Sequence, residues 1–392
     1  MKKNILFIAD SSLRNPILQS QGFPFLFNLN HTKYKPFVLS FEETNISKEE
    51  SLEFQSIIKK YDSKINFLPV TINKKGILPS WFYFFWRATF ELKSLIRNNR
   101  IDLLHARSFY PVLLSIFIKF FFDHPIKVVY DNRGLYIDEK ILTGLIKKAS
   151  IKEKFFRWIE KYVMKNCDRM VVVSNQFKSY ILNKSKYKIL SKIVVIPNRT
   201  LIDMNINLTQ KHSNKILLVY SGSYAIWQNS SELKKLFIQA LNIFNDVIFK
   251  IISYEQEKFQ SLFSQESKLL HKIDIVSVEP VKVKEELSKC NCGILLRENN
   301  LINNVSSPLK FAEYLAAGLP VLLSEGVGDT ESIIKKYDVG IIIKNNNYIT
   351  ALKDLRELLN DKDVYRRCLR VADKEFNIIT SFKQYQEIYD KI

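Results

Sequence analysis

A chain of 392 residues with 46% hydrophobic and 25% charged residues is neither disordered nor fibrous, and it is long enough for two domains of ordinary size. The formal net charge of +19 is lopsided: residues 1–200 carry 34 basic and 16 acidic side chains, a net +18, whereas residues 201–392 carry 25 and 24, a net +1. The first half is thus expected to meet an anionic partner (phosphate, lipid headgroups or nucleic acid) and the second to hold a ligand in a neutral scaffold. Cys167, Cys290, Cys292 and Cys368 form no CxxC pair and no cluster with His, which argues against a zinc site or a disulfide framework and for a reducing cytoplasm.

Along the chain, apolar strand-like runs alternate with helical patterns. The opening MKKNILFIAD has a basic tip, but its apolar core is too short for a signal peptide and reads as a first strand. PFVLSF, IDLLHA, KVVYD, RMVVVS and KIVVIPN continue a first parallel sheet. KILLVYSGS, VIFKIIS, KIDIVSV, CGILLRE, LPVLLS and VGIIIK supply a second, after a polar linker at about 199–214. Two strand-helix series of similar size predict an α/β protein of two doubly wound domains. PVLLSIFIKFFFDHP is cut by Lys119 and Asp123, so no run reaches the roughly 18 apolar residues of a spanning helix.

Residues 73–100 hold a run of six aromatic side chains, Trp81 to Trp86, with Lys74 and Lys75 before it and Arg87, Lys93, Arg97 and Arg100 after it. Leu92, Leu95 and Ile96 recur at helical spacing and predict a core helix for the later half. Six consecutive rings cannot all face one core, so Lys74, Lys75, Trp81, Phe82 and Arg87 are expected to meet an anionic membrane surface. Further on, His105 closes IDLLHA and reads as a satisfied core histidine. Asp131 and Arg133 in YDNRG fit two readings, orientation of an acceptor or a buried pair shaping the turn.

Open parallel sheets bind ligands at the carboxyl ends of their strands. There, Gly222 sits between Ser221 and Ser223, and Arg297 with Glu298 ends the strand of CGILLRE. SSPLKFAEYLAAGLPV, residues 306–321, predicts a short helix of about ten residues with Ser307 as its N-cap, Pro308 in its first position, and Gly318 and Pro320 as its stop. Lys310 and Glu313 share a face of it. Lys near the start and Glu near the end both oppose the helix macrodipole, so an ordinary ion pair explains them poorly. A Lys beside free amides suits a phosphate, and a carboxylate one turn on can accept from sugar hydroxyls. Together they describe a nucleotide.

SSPLKFAEYLAAGLPVLLSEGVGD, preceded by CGILLRENN and by CDRMVVVSNQFKSYIL with VVIPN, resembles the family 4 glycosyltransferases of GT-B fold, especially bacterial surface-polysaccharide enzymes; HARS and YDNRG resemble a subgroup. The resemblance implies two Rossmann-like domains facing across a cleft: an acceptor domain at 1–205, a nucleotide-sugar domain at 206–374, and a last helix at 375–392 that returns to the first. It implies that Glu313 holds ribose hydroxyls and that Arg297 and Lys310 lie near the diphosphate. Gly22, Gly222, Ser223, Glu298 and Ser307 complete the implied donor set. Asp131 occupies the position of a frequent active-site His and would act with Arg133. Three positions depart from the family pattern: Val305 stands where an acid is common, with Glu298 the candidate substitute, and Ser223 and Gln228 stand where Arg and Lys are common.

The expected activity is transfer of a sugar from a nucleoside-diphosphate sugar to a glycan or lipid-linked glycan (capsule, O-antigen or lipopolysaccharide). It would be retaining, independent of metal and without cofactor, at the cytoplasmic face of the membrane. The alternatives are a nucleotide-sugar epimerase of the same fold and a nucleic-acid-binding protein. Against the latter, the basic residues are spread among apolar strands and no nucleic-acid motif occurs.

Overall fold

The computed structural model describes residues 2–9, 12, 29, 31–42, 47, 49, 52, 66–71, 80–121, 125–186, 188–206, 208, 215–224, 230–244 and 246–392. The chain forms two compact units, Met1–Ile196 with Ile378–Ile392, and Pro197–Asn377. These boundaries fall nine residues before 205 and three after 374, for a visible reason. Asn198 N donates to Ser307 Oγ (3.1 Å), Arg199 Nε to Glu375 O (3.1 Å) and Thr200 N to Phe376 O (3.0 Å), which ties both crossings to the second unit.

In the first unit, seven parallel strands run in the order β3-β2-β1-β4-β5-β6-β7. They are β1 Lys3–Ile8, β2 Tyr34–Glu42, β3 Asn66–Thr71, β4 Leu103–Arg107, β5 Lys127–Asn132, β6 Arg169–Val172 and β7 Ile193–Val195. β3, absent from the sequence reading, is an edge strand that among the described residues pairs with β2, where the missing N–H of Pro69 is tolerated. The other strands are buried on both faces, which is why they read as unbroken apolar runs. One face, with Ile5, Phe7, Val38, Leu103, Val129 and Val171, is covered by Ile378, Phe382, Tyr385, Ile388 and Tyr389 of the C-terminal helix Ile378–Asp390.

In the second unit, six parallel strands run in the order β10-β9-β8-β11-β12-β13. They are β8 Ile216–Ser221, β9 Val247–Ile252, β10 Ile273–Val276, β11 Cys292–Leu295, β12 Val321–Ser324 and β13 Gly340–Ile343. Side chains alternate between two cores: Leu218, Tyr220, Ile294 and Leu322 pack in one, and Val219, Leu295, Val321 and Leu323 in the other. In both sheets the strand order reverses beside the first strand of the series. The crevices that bind ligands in such folds therefore open at the carboxyl ends of β1 and β4, and of β8 and β11.

Among the described residues no helix is long and apolar enough to cross a membrane. All four cysteines are free and buried.

Candidate functional site

At the reversal point of the second sheet, β8 and β11 pair only through Leu218 with Cys292 and Val219 with Gly293. Beyond that register a tyrosine takes over. Tyr314 Oη accepts from Ser221 N (2.9 Å) and donates to Ile294 O (3.1 Å), joining the two strand ends by a side chain. Its ring lies over Gly293, where an added Cβ would come within 2.4 Å of the ring, so only glycine permits the approach. The sequence reading missed Tyr314, although an aromatic residue one position past Glu313 on a short helix was a visible signal.

That helix spans Leu309–Ala316. Its end follows the expectation: Gly318 has φ +70°, its N–H bonds Leu315 O (2.9 Å), and Leu319 N bonds Tyr314 O (2.8 Å), the paired bonds of a left-handed helix stop. Its start does not. The cap position is Pro308, which has no side-chain oxygen, and Ser307 is engaged elsewhere, with Oγ and O accepting from Asn198 N (3.1 Å) and Nδ2 (2.6 Å). The tertiary tie to VVIPN takes precedence over local capping. In its first turn Phe311 N bonds Pro308 O (3.1 Å), and the positive end of the helix dipole lies there.

Lys310 and Glu313 are half-buried on this helix, and the Lys310 ammonium sits 5.4 Å from the centroid of the Tyr220 ring. Burial is the main force lowering the Lys310 pKa to about 7; the Arg297 charge adds to it and Glu313 opposes. Burial raises the Glu313 carboxyl, with Lys310 opposing. Arg297, just past β11, is also half-buried; burial lowers its pKa, and its Nε is buried with no hydrogen-bond partner among the described residues. Its backbone is fixed by Ser324, whose Oγ accepts from Arg297 N (2.7 Å) and donates to Arg297 O (2.9 Å). Ser324 ends β12 and was not singled out from sequence. Burying these two cations costs energy and one keeps an unmet donor, a cost that a bound anion would offset.

The other sequence candidates take varied positions. Gly222 follows β8, half-buried, its N–H bonded to Ile252 O (2.9 Å). Ser223 is exposed, with its carbonyl accepting from Tyr220 Oη (3.0 Å). Glu298 is exposed next to Arg297, and Val305 is buried in the core rather than facing a ligand. Gly22, Lys74 and Lys75 lie outside the described residues, as do the side chains of Trp81 and Phe82 in the helix Ser80–Asn98; Arg87 is half-buried. No group of three or more His, Cys, Asp or Glu among the described residues could hold a metal ion.

In the first unit, Asp131 is fully buried at the carboxyl end of β5. Arg133 Nε lies 2.8 Å from its Oδ1, and His105 Nε2 and Arg107 Nη1 lie 3.3 and 3.6 Å from its Oδ2. The C-terminal helix closes the cluster: Tyr389 Oη is 2.5 Å from His105 Nδ1, and Arg133 donates to Tyr385 Oη. Burial alone would raise the Asp131 carboxyl; the charge of Arg133, then the hydrogen bond of His105 and the charge of Arg107, instead hold it well below the usual range. Burial lowers the His105 pKa, against the pull of Asp131. Of the two readings of YDNRG, this geometry favours the buried pair: Asp131 is spent on cations of its own unit.

Comparison with known proteins gives a consistent likeness. The family described as Glycosyltransferase Family 4 matches residues 51–199, and that described as Glycosyl transferases group 1 matches residues 204–375. No curated sequence relative matches. Among solved structures, a glycosyltransferase from Rickettsia africae is 16% identical at TM-score 0.70, covering 100% of this chain and 98% of its own. HepE of Anabaena in complex with UDP is 12% identical at TM-score 0.70, with both chains covered in full (100% and 100%). The lipopolysaccharide outer core galactosyltransferase WaaB is 11% identical at TM-score 0.70, covering 99% of this chain and 100% of its own.

Proposed function

We propose, for a chain that belongs to the glycosyltransferases of GT-B fold, with Family 4 in its first half and group 1 in its second, that the sugar comes from a nucleoside-diphosphate donor and goes to a growing surface glycan. The observation that carries the donor class is the pair Arg297 and Lys310, half-buried cations, with Lys310 in the first turn of the helix Leu309–Ala316. A diphosphate supplies the charge that both lack, and it gives the Arg297 Nε an acceptor. Glu313, one turn further, accepts hydrogen bonds from ribose hydroxyls. Gly222 lets the backbone approach the ligand, and we assign Ser223, Ser307 and Glu298 to the same donor set. HepE was solved with UDP, which supports a uridine nucleotide as the first donor to test.

Catalysis on this reading rests on position and charge. As the bond from the sugar to the diphosphate breaks, negative charge gathers on the leaving phosphate, and Arg297, Lys310 and the helix amides neutralise it in a partly water-free site. These cations do the work often given to a metal, so the reaction is metal-independent, and we assign it retention of configuration. Asp131 serves as the fixed anion that holds Arg133, Arg107 and His105 in place.

The acceptor is a glycan or lipid-linked glycan, with the protein peripheral at the cytoplasmic face of the membrane. The basic first half supports this, as does the likeness to a lipopolysaccharide galactosyltransferase. The test is mass spectrometry of glycan acceptors incubated with UDP-sugars and chelator. Mass gain by one hexose or N-acetylhexosamine, with release of nucleoside diphosphate, supports the reading. A product sugar of altered stereochemistry with no acceptor consumed would turn it into an epimerase.

A further inference from the structure

The helix Ile151–Asn166 carries two apolar faces. Ile159, Val163 and Met164 are buried, as on any packed helix. Ile151, Phe155, Trp158 and Tyr162, at steps of four, three and four residues, form a second stripe on the solvent side, with Ile151 87% and Trp158 62% exposed. Their rings stack: Phe155 and Trp158 lie 6.2 Å apart at 24°, and Trp158 and Tyr162 6.0 Å apart at 23°.

The band continues onto two more helices. Phe120, on the helix Phe109–Phe121, is 6.1 Å from Tyr162, and its neighbour Phe121, 70% exposed, stacks on Phe117 at 4.4 Å. Phe117 meets Trp86 at 5.7 Å, and Trp86 meets the exposed Phe90 at 6.3 Å. A chain of exposed rings of this length exceeds the scattered apolar side chains of an ordinary surface.

Charge decides what covers it. Lys152, Lys154, Lys161 and Lys165 are exposed, and Lys147 and Lys148 precede the helix. At about 100° per residue, Lys154, Lys161 and Lys165 follow one margin of the stripe and Lys152 the other. The two acids of the helix point away and are engaged by Arg157, Glu153 at 3.3 Å and Glu160 at 3.8 Å. A second copy joined two-fold through this stripe would set lysine margin against lysine margin. An anionic bilayer has the opposite character: apolar depth for the rings, an interface suited to Trp and Tyr, and headgroup charge for lysines whose stems lie along apolar surface.

The geometry points to the band Ile151–Phe155–Trp158–Tyr162, with Phe120, Phe121 and Phe90, as the surface that docks on anionic lipid. The contact expected around Trp81 and Phe82, whose side chains lie outside the described residues, is joined here by Trp158. The inference rests on the peripheral-membrane reading above. The experiment is binding to vesicles of phosphatidylglycerol and phosphatidylcholine without donor or acceptor, read by co-sedimentation and by quenching of tryptophan emission with brominated lipid chains.

The parent should bind anionic vesicles, bind less in high salt, and bind neutral vesicles weakly. Phe155→Ser with Trp158→Ser, shown folded by circular dichroism and by unchanged affinity for UDP, should lower the partition coefficient about tenfold. Trp158→Phe should still bind but lose most of the quenching. A parent that binds no vesicle overturns the peripheral reading together with this surface and leaves the donor site untouched. A parent that binds while the double variant binds equally overturns this surface alone. A concentration-dependent dimer abolished by the double variant would assign the band to a second copy and overturn the lipid assignment.

Discussion

The Lys310 ammonium lies 5.4 Å from the centroid of the Tyr220 ring, so a cation disfavoured by burial and by Arg297 rests near a π face that favours its charge. Its pKa falls to about 7 from the ordinary 10.5. Between those values the unfolded chain holds the proton that the folded chain has lost, so stability rises with pH across this window, and the cost of the buried charge is fully present below pH 7. Lys310→Met should therefore raise the ligand-free melting temperature more at pH 6 than at pH 10.

The same titration governs the donor. A diphosphate binds the charged form, so affinity for a nucleoside diphosphate should weaken above pH 7, by at most about tenfold per pH unit for one proton. Calorimetry between pH 6 and 8.5 checks this. An affinity flat over that range would remove Lys310 from the phosphate site.

Glu313 is expected to act on the ligand rather than the fold. Burial raises its carboxyl, so its charge does not help the ligand-free protein. Glu313→Ala should leave the urea midpoint nearly unchanged while weakening nucleotide binding by about 1.5–3 kcal/mol, the scale of a hydrogen bond to a charged group. Equal affinity of parent and variant for the nucleoside itself would rule out a ribose contact.

Tyr314→Phe keeps the ring over Gly293 and removes only the hydroxyl. Ser221 N–H and Ile294 C=O then lose their bridge at a buried position, a cost of about 1–3 kcal/mol. Urea denaturation should show this as a lower midpoint with unchanged slope. Hydrogen exchange should localise the loss to the carboxyl ends of β8 and β11.

Asp131→Asn should be the most damaging of these changes. It leaves Arg107 and Arg133 beside a neutral amide inside the first unit, a loss of about 3–5 kcal/mol as for other broken buried pairs. Because its folded pKa is depressed, the contribution of Asp131 is complete above the unfolded value of 3.8 and is lost as pH falls below it. The difference between parent and variant should therefore persist from pH 7 to pH 5 and shrink towards pH 2.

Sequence and structure agree where the physics is local. Twelve of the strands were marked by β-branched apolar runs, and the Gly318 stop followed from one residue's backbone freedom. β3 escaped because Pro69 and Asn66 argue against a strand anywhere except an edge, and edge position is a property of the sheet. The N-cap assigned to Ser307 failed through a partner 109 residues away, Asn198. Tyr385 and Tyr389 reach His105 and Asp131 across more than 250 residues, so the chain nearby carries no sign of that cluster. The outward stripe of Ile151–Asn166 was hidden because periodicity locates an apolar face without saying whether anything covers it.

The proposal that Arg297 and Lys310 hold a diphosphate is tested by one calorimetric comparison. Parent protein and Arg297→Met are titrated with UDP, GDP and CDP and with the matching nucleosides. The parent should bind at least one diphosphate at least about 30-fold more tightly than its nucleoside, as expected for two charged hydrogen bonds, and Arg297→Met should erase most of that preference while nucleoside affinity stays the same. A parent that binds none of the diphosphates, or a preference that survives in Arg297→Met, would contradict it.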